Sequence, residues 1–326
     1  MQKKEIYLIT GCAGFIGFHL AKKLLDNNKH VIGIDNLNNY YDKKIKYKRL
    51  KILKNYSNFK NIFGDLKNKS IYKKKALKTK INYIYHFAGQ AGVRYSILKP
   101  QEYIKDNTMA YINLLENFKG FKSLKAIFYA SSSSVYGNDK KNSSKVTPRK
   151  PISVYAVSKL SMELLSNVYF SLYKVKCVGL RFFTVYGPWG RPDMAYFKFC
   201  KLISENKKIE IYNSGNHHRS FTYIDDVVKN LFLLKQNLKK INFKKNNVFN
   251  IGNPKTVSLS KFINLIEKNI SKKAKKIYKS RQPGDVLKTQ SNNLVEKKLF
   301  KFRFETDIEK GIKKFINWFL FEYEKK

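Results

Sequence analysis

The sequence predicts an α/β protein: a doubly wound parallel sheet with helices on both faces, joined to a smaller, discontinuous C-terminal lobe. Three observations carry that expectation. Short apolar runs alternate with longer amphipathic stretches through the first 180 residues. The runs are almost continuously apolar, as strands covered on two faces must be. A glycine-rich turn follows the first of them at once. A chain of 326 residues can bury a sizeable core in one large unit or two unequal ones.

The elements follow in order. Ile6–Thr10 is an apolar run stopped by Gly11, and an amphipathic helix is expected near 16–27. Val31–Asp35 ends on a carboxylate and leads to a helix near 44–55. Phe59–Phe63 precedes a helix near 70–79, and Tyr83–Ala88 precedes one near 101–119. Ala126–Ser131 runs into a serine cluster, a long helix is expected over 154–173, and Cys177–Phe183 closes the series. Beyond Phe183 the rhythm breaks, because Gly187, Pro188, Gly190 and Pro192 mark an irregular loop. Val248–Ile251 reads as one more buried strand returning to the sheet. The first domain is therefore expected over 1–183 with about 223–252, and the second over about 184–222 and 253–326.

Bulk composition narrows the class. Cys12, Cys177 and Cys200 are scattered and form neither a disulfide framework nor a metal cluster, which points to a reducing, cytoplasmic setting. No apolar run approaches the ~20 residues of a membrane span, and the first strand begins too early to leave room for a cleaved signal. The net charge is +43. Only eight of the 66 basic residues are Arg, and Lys is spread along the whole chain beside abundant Asn, Ile, Tyr and Phe. That is a solvated lysine surface that attracts polyanions without specificity; no nucleic-acid-reading motif accompanies it.

Gly11, Gly14 and Gly17 form G-x-x-G-x-x-G between a strand and a helix. Glycines at that turn let the backbone approach a pyrophosphate at the positive end of the helix, the arrangement of a Rossmann-type dinucleotide site. Asp35 ends the second strand 18 residues after Gly17, where a carboxylate accepts from both ribose hydroxyls and repels a 2′-phosphate. NAD is the expected cofactor.

A Tyr four residues before a Lys puts both side chains on one helix face, where the ammonium favours the phenolate. The spacing occurs six times, at Tyr40, Tyr47, Tyr56, Tyr95, Tyr136 and Tyr155, so spacing alone decides nothing. Context selects Tyr155 with Lys159: the pair opens a long helix after Pro151, 23 residues beyond Ser132. Ser131, Ser132, Ser133 and Ser134 lie at the carboxyl end of the fifth strand, where open α/β sheets bind ligands. Tyr136 either touches ligand or packs.

The segments GCAGFIG, IDNLNNYYD, HFAGQAGVRYS, YASSSSVYG, YAVSK, RFFTVYGPWGRPDMA and RSFTYIDD, with RQPGD later, resemble those of UDP-glucuronate 4-epimerases, within the NAD-dependent epimerase/dehydratase group of extended short-chain dehydrogenases. The resemblance spans residue 5 to about 230 and reappears at 281–285. It implies Tyr155 as base, Lys159 as its partner and ribose ligand, and Ser132 as the hydroxyl beside the reacting oxygen. It places Phe15, Ile16, Asn36, Asp65, Leu66, Ala88 and Gln90 with the glycines and Asp35 around the cofactor. Asn107 would steady the serine strand. On the substrate side it implies Arg94, Ser133, Ser134 and Tyr212, with Arg219 and Arg281 on the diphosphate, Asp285 near the uridine ribose, and Thr184 and Arg191 flanking the sugar carboxylate. Five of the eight arginines, Arg94, Arg181, Arg191, Arg219 and Arg281, fall in these segments, although Arg181 lies within a strand and reads as structural. Ser220, Gly89 and the pair His217–His218 depart from the family pattern, and the histidines lack the further ligands a metal needs.

The implied reaction is inversion of C4 of a UDP-sugar, UDP-glucuronate first, through a 4-keto intermediate. UDP-galactose or UDP-glucose epimerisation, or decarboxylation or dehydration on the same scaffold, remain alternatives, as does a non-catalytic nucleic-acid binder. Ser134 stands where decarboxylases and dehydratases place a Glu. Leu160, Leu164, Leu165 and Val168 exceed what the sheet needs, so the helices near 101–119 and 154–173 are expected to pair in a homodimer.

Overall fold

Each apolar run named above forms a strand in the computed structural model, which describes residues 4–138, 150–245, 247–280 and 288–324. In chain order the first elements are β1 (Ile6–Thr10), α1 (Phe15–Asp26), β2 (His30–Asp35), α2 (Lys43–Lys54), β3 (Phe59–Phe63) and β4 (Ile81–His86). There follow α3 (Tyr95–Leu98), α4 (Pro100–Tyr103), α5 (Ala110–Phe118), β5 (Ala126–Ser132), α6 (Val154–Tyr173) and β6 (Cys177–Phe182). The chain continues with β7 (Thr184–Tyr186), α7 (Ala195–Ser204), β8 (Lys208–Tyr212), β9 (His218–Arg219), β10 (Phe221–Tyr223), α8 (Ile224–Gln236) and β11 (Val248–Ile251). It ends with β12 (Val257–Ser258), α9 (Leu259–Ile270), β13 (Lys275–Lys279), β14 (Lys288–Thr289), α10 (Leu294–Phe300) and α11 (Ile308–Trp318).

The central sheet has seven strands in the order β11-β6-β5-β4-β1-β2-β3, a parallel, Rossmann-like arrangement. The order reverses between β1 and β4, so the carboxyl ends of those two strands face the crevice where such sheets take ligands. Leu8, Ile32, Ile34, Ile84 and Ile127 from the strands pack with Leu114, Leu115 and Met162 from the helices in one core cluster.

Two expected helices differ from their sequence reading. The segment 70–79 forms two 3₁₀ turns, Lys69–Lys73 and Lys75–Lys78, because Lys74 is extended between them (ψ 128°). The expected helix over 101–119 is built in three parts. Pro100 occupies the first turn of α4, a position that suits a residue without an N–H. A π turn spans Ile104–Met109 before α5 resumes the regular ladder. By contrast α6 runs unbroken for 20 residues. Ser153 caps it by accepting from the Ala156 N–H at 3.2 Å, and Lys174 ends it in the left-handed region at φ 58°.

Within the described residues the chain divides into two compact units. The first holds residues up to 137, then 150–181 and 238–249; the second holds 182–237 and 250 onward. The expected return of 223–252 to the first unit is therefore split. Helix α8 stays with the second unit because it continues directly from β10, which pairs with β7 (Tyr223 opposite Tyr186). Residues 238–249 return, and β11 (Val248–Ile251) takes an edge of the central sheet. The second unit also contains the three-stranded β12-β9-β14 sheet and the β13-β8 ribbon.

Candidate active site

At the end of β1 the three glycines are required by backbone contact. Gly11 has φ +73°, and a Cβ there would stand 2.7 Å from the Ala88 nitrogen. A Cβ on Gly17 would stand 2.1 Å from the Gly11 carbonyl oxygen. The start of α1 thus lies directly on the strand end. Gly14 caps α1 without a side-chain acceptor, and no acidic residue occupies the first turn. The first N–H groups of α1, around Phe15, Ile16 and Gly17, therefore keep the anion-binding character of a helix start.

Asp35 is buried at the end of β2. One of its oxygens accepts from the Ala13 N–H at 3.0 Å and the other from the Leu37 N–H at 2.8 Å. Each oxygen retains further lone pairs for a hydroxyl donor. Asn36 donates to Asp65 at 3.2 Å, joining the β2 end to the β3 end. Leu66 lies in the core, and its carbonyl accepts from Asn113.

Two cations here escaped the sequence reading. Arg49 is fully buried on α2 and donates to the Ala13 carbonyl of the glycine turn at 2.7 Å and to the Tyr41 hydroxyl at 3.1 Å. Lys46, also buried, donates to the Asn38 carbonyl and side chain at 2.9 and 2.6 Å and stands 4.5 Å from the Tyr41 ring centroid. In a chain with 58 Lys nothing marked Lys46 (66 basic residues less eight Arg). Arg49 could have been found from its rarity, by the reasoning applied to the other arginines.

Beyond β4 one side chain organises the loop. Asn107, in the π turn, accepts from the Gln90 N–H at 2.8 Å, donates to the Gln90 carbonyl at 3.0 Å and donates to Ser158 at 2.9 Å. Ser158 in turn donates to the Tyr155 carbonyl at 2.8 Å. Asn107 thus joins the post-β4 loop to the first turns of α6, where the sequence reading had linked it with the serine strand. The departure at Gly89 has a local reason: its φ is +153°, and a Cβ would stand 2.5 Å from the Asn107 amide oxygen. Ala88 donates its N–H to Thr10 at 3.2 Å.

Tyr155 is half-buried on α6, with its ring edge-on to Tyr103 at 6.0 Å between centroids. The Lys159 ammonium lies 5.9 Å from the Tyr155 ring centroid. Lys159 is buried, and burial lowers its pKa to about 8. Behind it sits His86 at the end of β4, fully buried, bonded to Thr10 at 2.9 Å and stacked on Tyr111 at 5.3 Å. Burial first, and the Lys159 charge second, push the His86 pKa down to about 3, so this ring stays neutral.

The serine cluster is fixed from below. Ser131 donates to Glu163 at 2.6 Å, and Glu163 is held by both arms of Arg181 at 2.8 and 2.6 Å. The Arg181 guanidinium lies 4.7 Å from the centroid of the Tyr136 ring. Tyr136 is buried, so of its two readings packing holds, and Arg181 is structural as its strand position implied. Ser132 accepts from the Ser134 N–H and donates to the Ser134 hydroxyl, both at 3.1 Å. Ser133 and Ser134 are half-buried, and Arg94 is exposed at the start of α3.

The second unit carries the remaining residues. Thr184 is half-buried on β7 opposite Phe221. Arg191 binds Asp193 through two arms, Nε to Oδ1 at 3.0 Å and Nη2 to Oδ2 at 2.5 Å. Tyr212 donates to Glu210 at 2.7 Å, and Arg219 is half-buried on β9. Ser220 is fully buried and donates to the Asn253 carbonyl, so its side chain serves the interior of this unit. His217 is buried and His218 exposed. Arg281 and Asp285 lie outside the described residues. Among the described residues no group of three or more His, Cys, Asp or Glu could hold a metal ion, and no helix is long and apolar enough to cross a membrane.

A profile of the NAD dependent epimerase/dehydratase family matches residues 7–252. An uncharacterized protein of Methanocaldococcus jannaschii is 49% identical over 98% of this chain and 97% of its own. UDP-glucuronate 4-epimerase 4 of Arabidopsis thaliana is 39% identical over 97% of this chain and 75% of its own. Among solved structures, UDP-glucuronic acid 4-epimerase from Bacillus cereus, in complex with UDP-glucuronic acid and NAD, superposes with a TM-score of 0.88 at 33% identity, covering 96% of this chain and 98% of that one.

Proposed function

The chain belongs to the NAD dependent epimerase/dehydratase family, and from that premise we propose that it is an NAD-dependent isomerase converting UDP-glucuronate to UDP-galacturonate. The observation that carries the proposal is the Tyr155–Lys159 pair, a half-buried phenol beside a buried ammonium, on the helix that Asn107 and Ser158 bind to the loop after β4.

The first unit suits NAD. Gly11 and Gly17 leave no room for a Cβ, the start of α1 has no acidic or side-chain cap, and Asp35 presents a carboxylate already oriented by two N–H groups. The proposed ligands are the glycine turn with Phe15 and Ile16 for the pyrophosphate, Asp35 and Asn36 for the adenosine ribose, and Asp65 and Leu66 for the adenine. Ala88, Gln90 and Asn107, with Tyr155 and Lys159, would line the nicotinamide half. NAD, when bound, supplies the acceptor and then the donor of the C4 hydrogen.

The remaining steps belong to the chain. Tyr155 as phenolate takes the proton of the C4 hydroxyl, and Lys159 holds that phenolate by its charge. Ser132 donates to the reacting oxygen. The planar 4-keto sugar turns about its diphosphate linkage, and Tyr155 returns the proton on the other face. Arg219 and Arg281 bind the diphosphate, Asp285 and Tyr212 the uridine end, and Arg94, Ser133, Ser134, Thr184 and Arg191 the sugar. Ser134 offers no acid at C5, which supports epimerisation over elimination.

The protein is proposed to act as a homodimer in the cytoplasm. Val157, Leu164, Val168 and Leu172 form an exposed apolar stripe along α6, and Ile104 and Met109 are exposed on the π turn, which packs against α6. Leu165, by contrast, packs on the core and leaves the expected set, while Leu160 is half-buried. Three free, buried cysteines suit a reducing compartment.

The test is incubation with UDP-glucuronate, followed by chromatography of the nucleotide sugars. Equilibration with UDP-galacturonate is expected, with Tyr155→Phe slower by about 10² to 10⁴ at retained NAD. Normal turnover in that variant, or no conversion by the wild type, overturns the proposal.

A further inference from the structure

The Arg191 fork already holds a carboxylate. Asp193 occupies the Nε–Nη2 edge of the guanidinium with both of its oxygens, at 3.0 and 2.5 Å. That edge is the one best matched to a carboxylate, since two parallel N–H groups meet two oxygens. The pair is partly buried, with side-chain exposures of 22% and 19%, so neither charge is fully screened. The loop that bears it is firmly shaped. The Arg191 N–H donates to the Tyr196 hydroxyl at 3.3 Å, and Tyr196 itself is fully buried. Pro192 between the two charges fixes the backbone, and the Met194 N–H closes a turn on the Arg191 carbonyl at 3.2 Å.

We propose that Asp193 is a positioning and specificity residue: an internal counter-ion that exchanges with the sugar carboxylate for the fork of Arg191. This rests on the reading of Arg191 as the carboxylate ligand. A lone guanidinium would hold the carboxylate most firmly in the ground state, yet the keto sugar must turn between its two half-reactions. Asp193 reduces the net charge of the clamp and receives the guanidinium when the carboxylate moves away. The cation is thus never left without a partner, and the substrate is held loosely enough to turn. A neutral sugar leaves the Arg191–Asp193 pair closed and draws nothing from it.

The test compares wild type, Asp193→Asn and Asp193→Glu in steady-state kinetics with UDP-glucuronate, and in binding of UDP-glucuronate, UDP-glucose and UDP. Asn keeps one acceptor for Arg191 and removes the competing charge. Asp193→Asn is expected to bind UDP-glucuronate about three- to five-fold more tightly, the reach of one partly exposed ion pair. Its kcat and KM fall together by that factor, so kcat/KM holds, the signature of a ground state held too well. UDP-glucose and UDP binding stay unchanged, and Asp193→Glu regains part of the kcat. A KM that rises at constant kcat means Asp193 merely orients Arg191 and overturns the exchange. Unaltered kinetics in both variants does so too. If Arg191→Ala binds UDP-glucuronate as well as the wild type does, the carboxylate reading itself fails, whatever Asp193 does.

Discussion

Keeping Lys159 inside the fold costs stability, and the cost can be measured. Burial lowers its pKa from 10.5 to about 8. At about 1.4 kcal/mol per pH unit, that is a penalty of order 3 kcal/mol on the folded ammonium. The unfolded chain holds the proton more tightly than the fold does. The penalty is therefore fully present below pH 8, is relieved as pH rises from about 8 to 10.5, and vanishes above. Lys159→Met keeps the length of the stem, and the thioether Sδ of Met162 already lies 3.9 Å from the Lys159 nitrogen. Such a volume-conserving change is tolerated well. The variant is expected to be more stable than the wild type at pH 7, by up to about 3 kcal/mol, while losing epimerisation by about 10² or more. Urea unfolding of both apoproteins, followed by far-UV circular dichroism at pH 7 and pH 10, reads the difference. The advantage should shrink at pH 10, because the wild type gains there and the variant does not. A variant no more stable at pH 7, or two pH profiles that run parallel, would refute the buried-ammonium argument.

Three further outcomes are expected. His86 is held neutral down to about pH 3, whereas an unfolded imidazole protonates near 6.5, so stability should fall as pH drops through that window; His86→Gln should show a shallower acid slope in thermal melts. Gly17→Ala forces a Cβ against the Gly11 carbonyl at 2.1 Å and should cost about 1–3 kcal/mol, with bound NAD lost on purification. Leu164→Glu with Val168→Glu charges the exposed stripe of α6 and should give a monomeric mass by light scattering, with secondary structure intact; an unchanged dimer would place the interface elsewhere.

Much of the first unit was legible because its signals are local. Apolar runs between glycine and polar breaks yielded all seven strands of the sheet, and Gly11, Gly14 and Gly17 marked the turn. What sequence could not show depended on tertiary partners. Nothing local to Ile104–Met109 announces a π turn, since the widening is explained by what Asn107 reaches on Gln90 and Ser158. The unit that residues 223–237 join cannot be read locally, because an amphipathic helix carries no label of the sheet it covers; in the fold they group with 182–222. Lys46 was hidden among identical residues. Asp193 sits two positions from Arg191 in a quoted motif, yet a carboxylate so near an arginine looks like ordinary loop polarity until its geometry is seen.

The π turn has a consequence for length change in this gene segment. A regular helix advances 100° per residue, and a π turn absorbs one residue beyond that rhythm. Deleting one residue between Ile104 and Asn107 would let the segment relax into an uninterrupted α-helix without disturbing α5 downstream. The Asn107 amide would then rotate off Gln90 and Ser158, and the loop after β4 would lose its tie to α6. Such a shortened protein should fold, melt cooperatively and fail only in catalysis. In this short stretch, chain length is as much a functional parameter as residue identity.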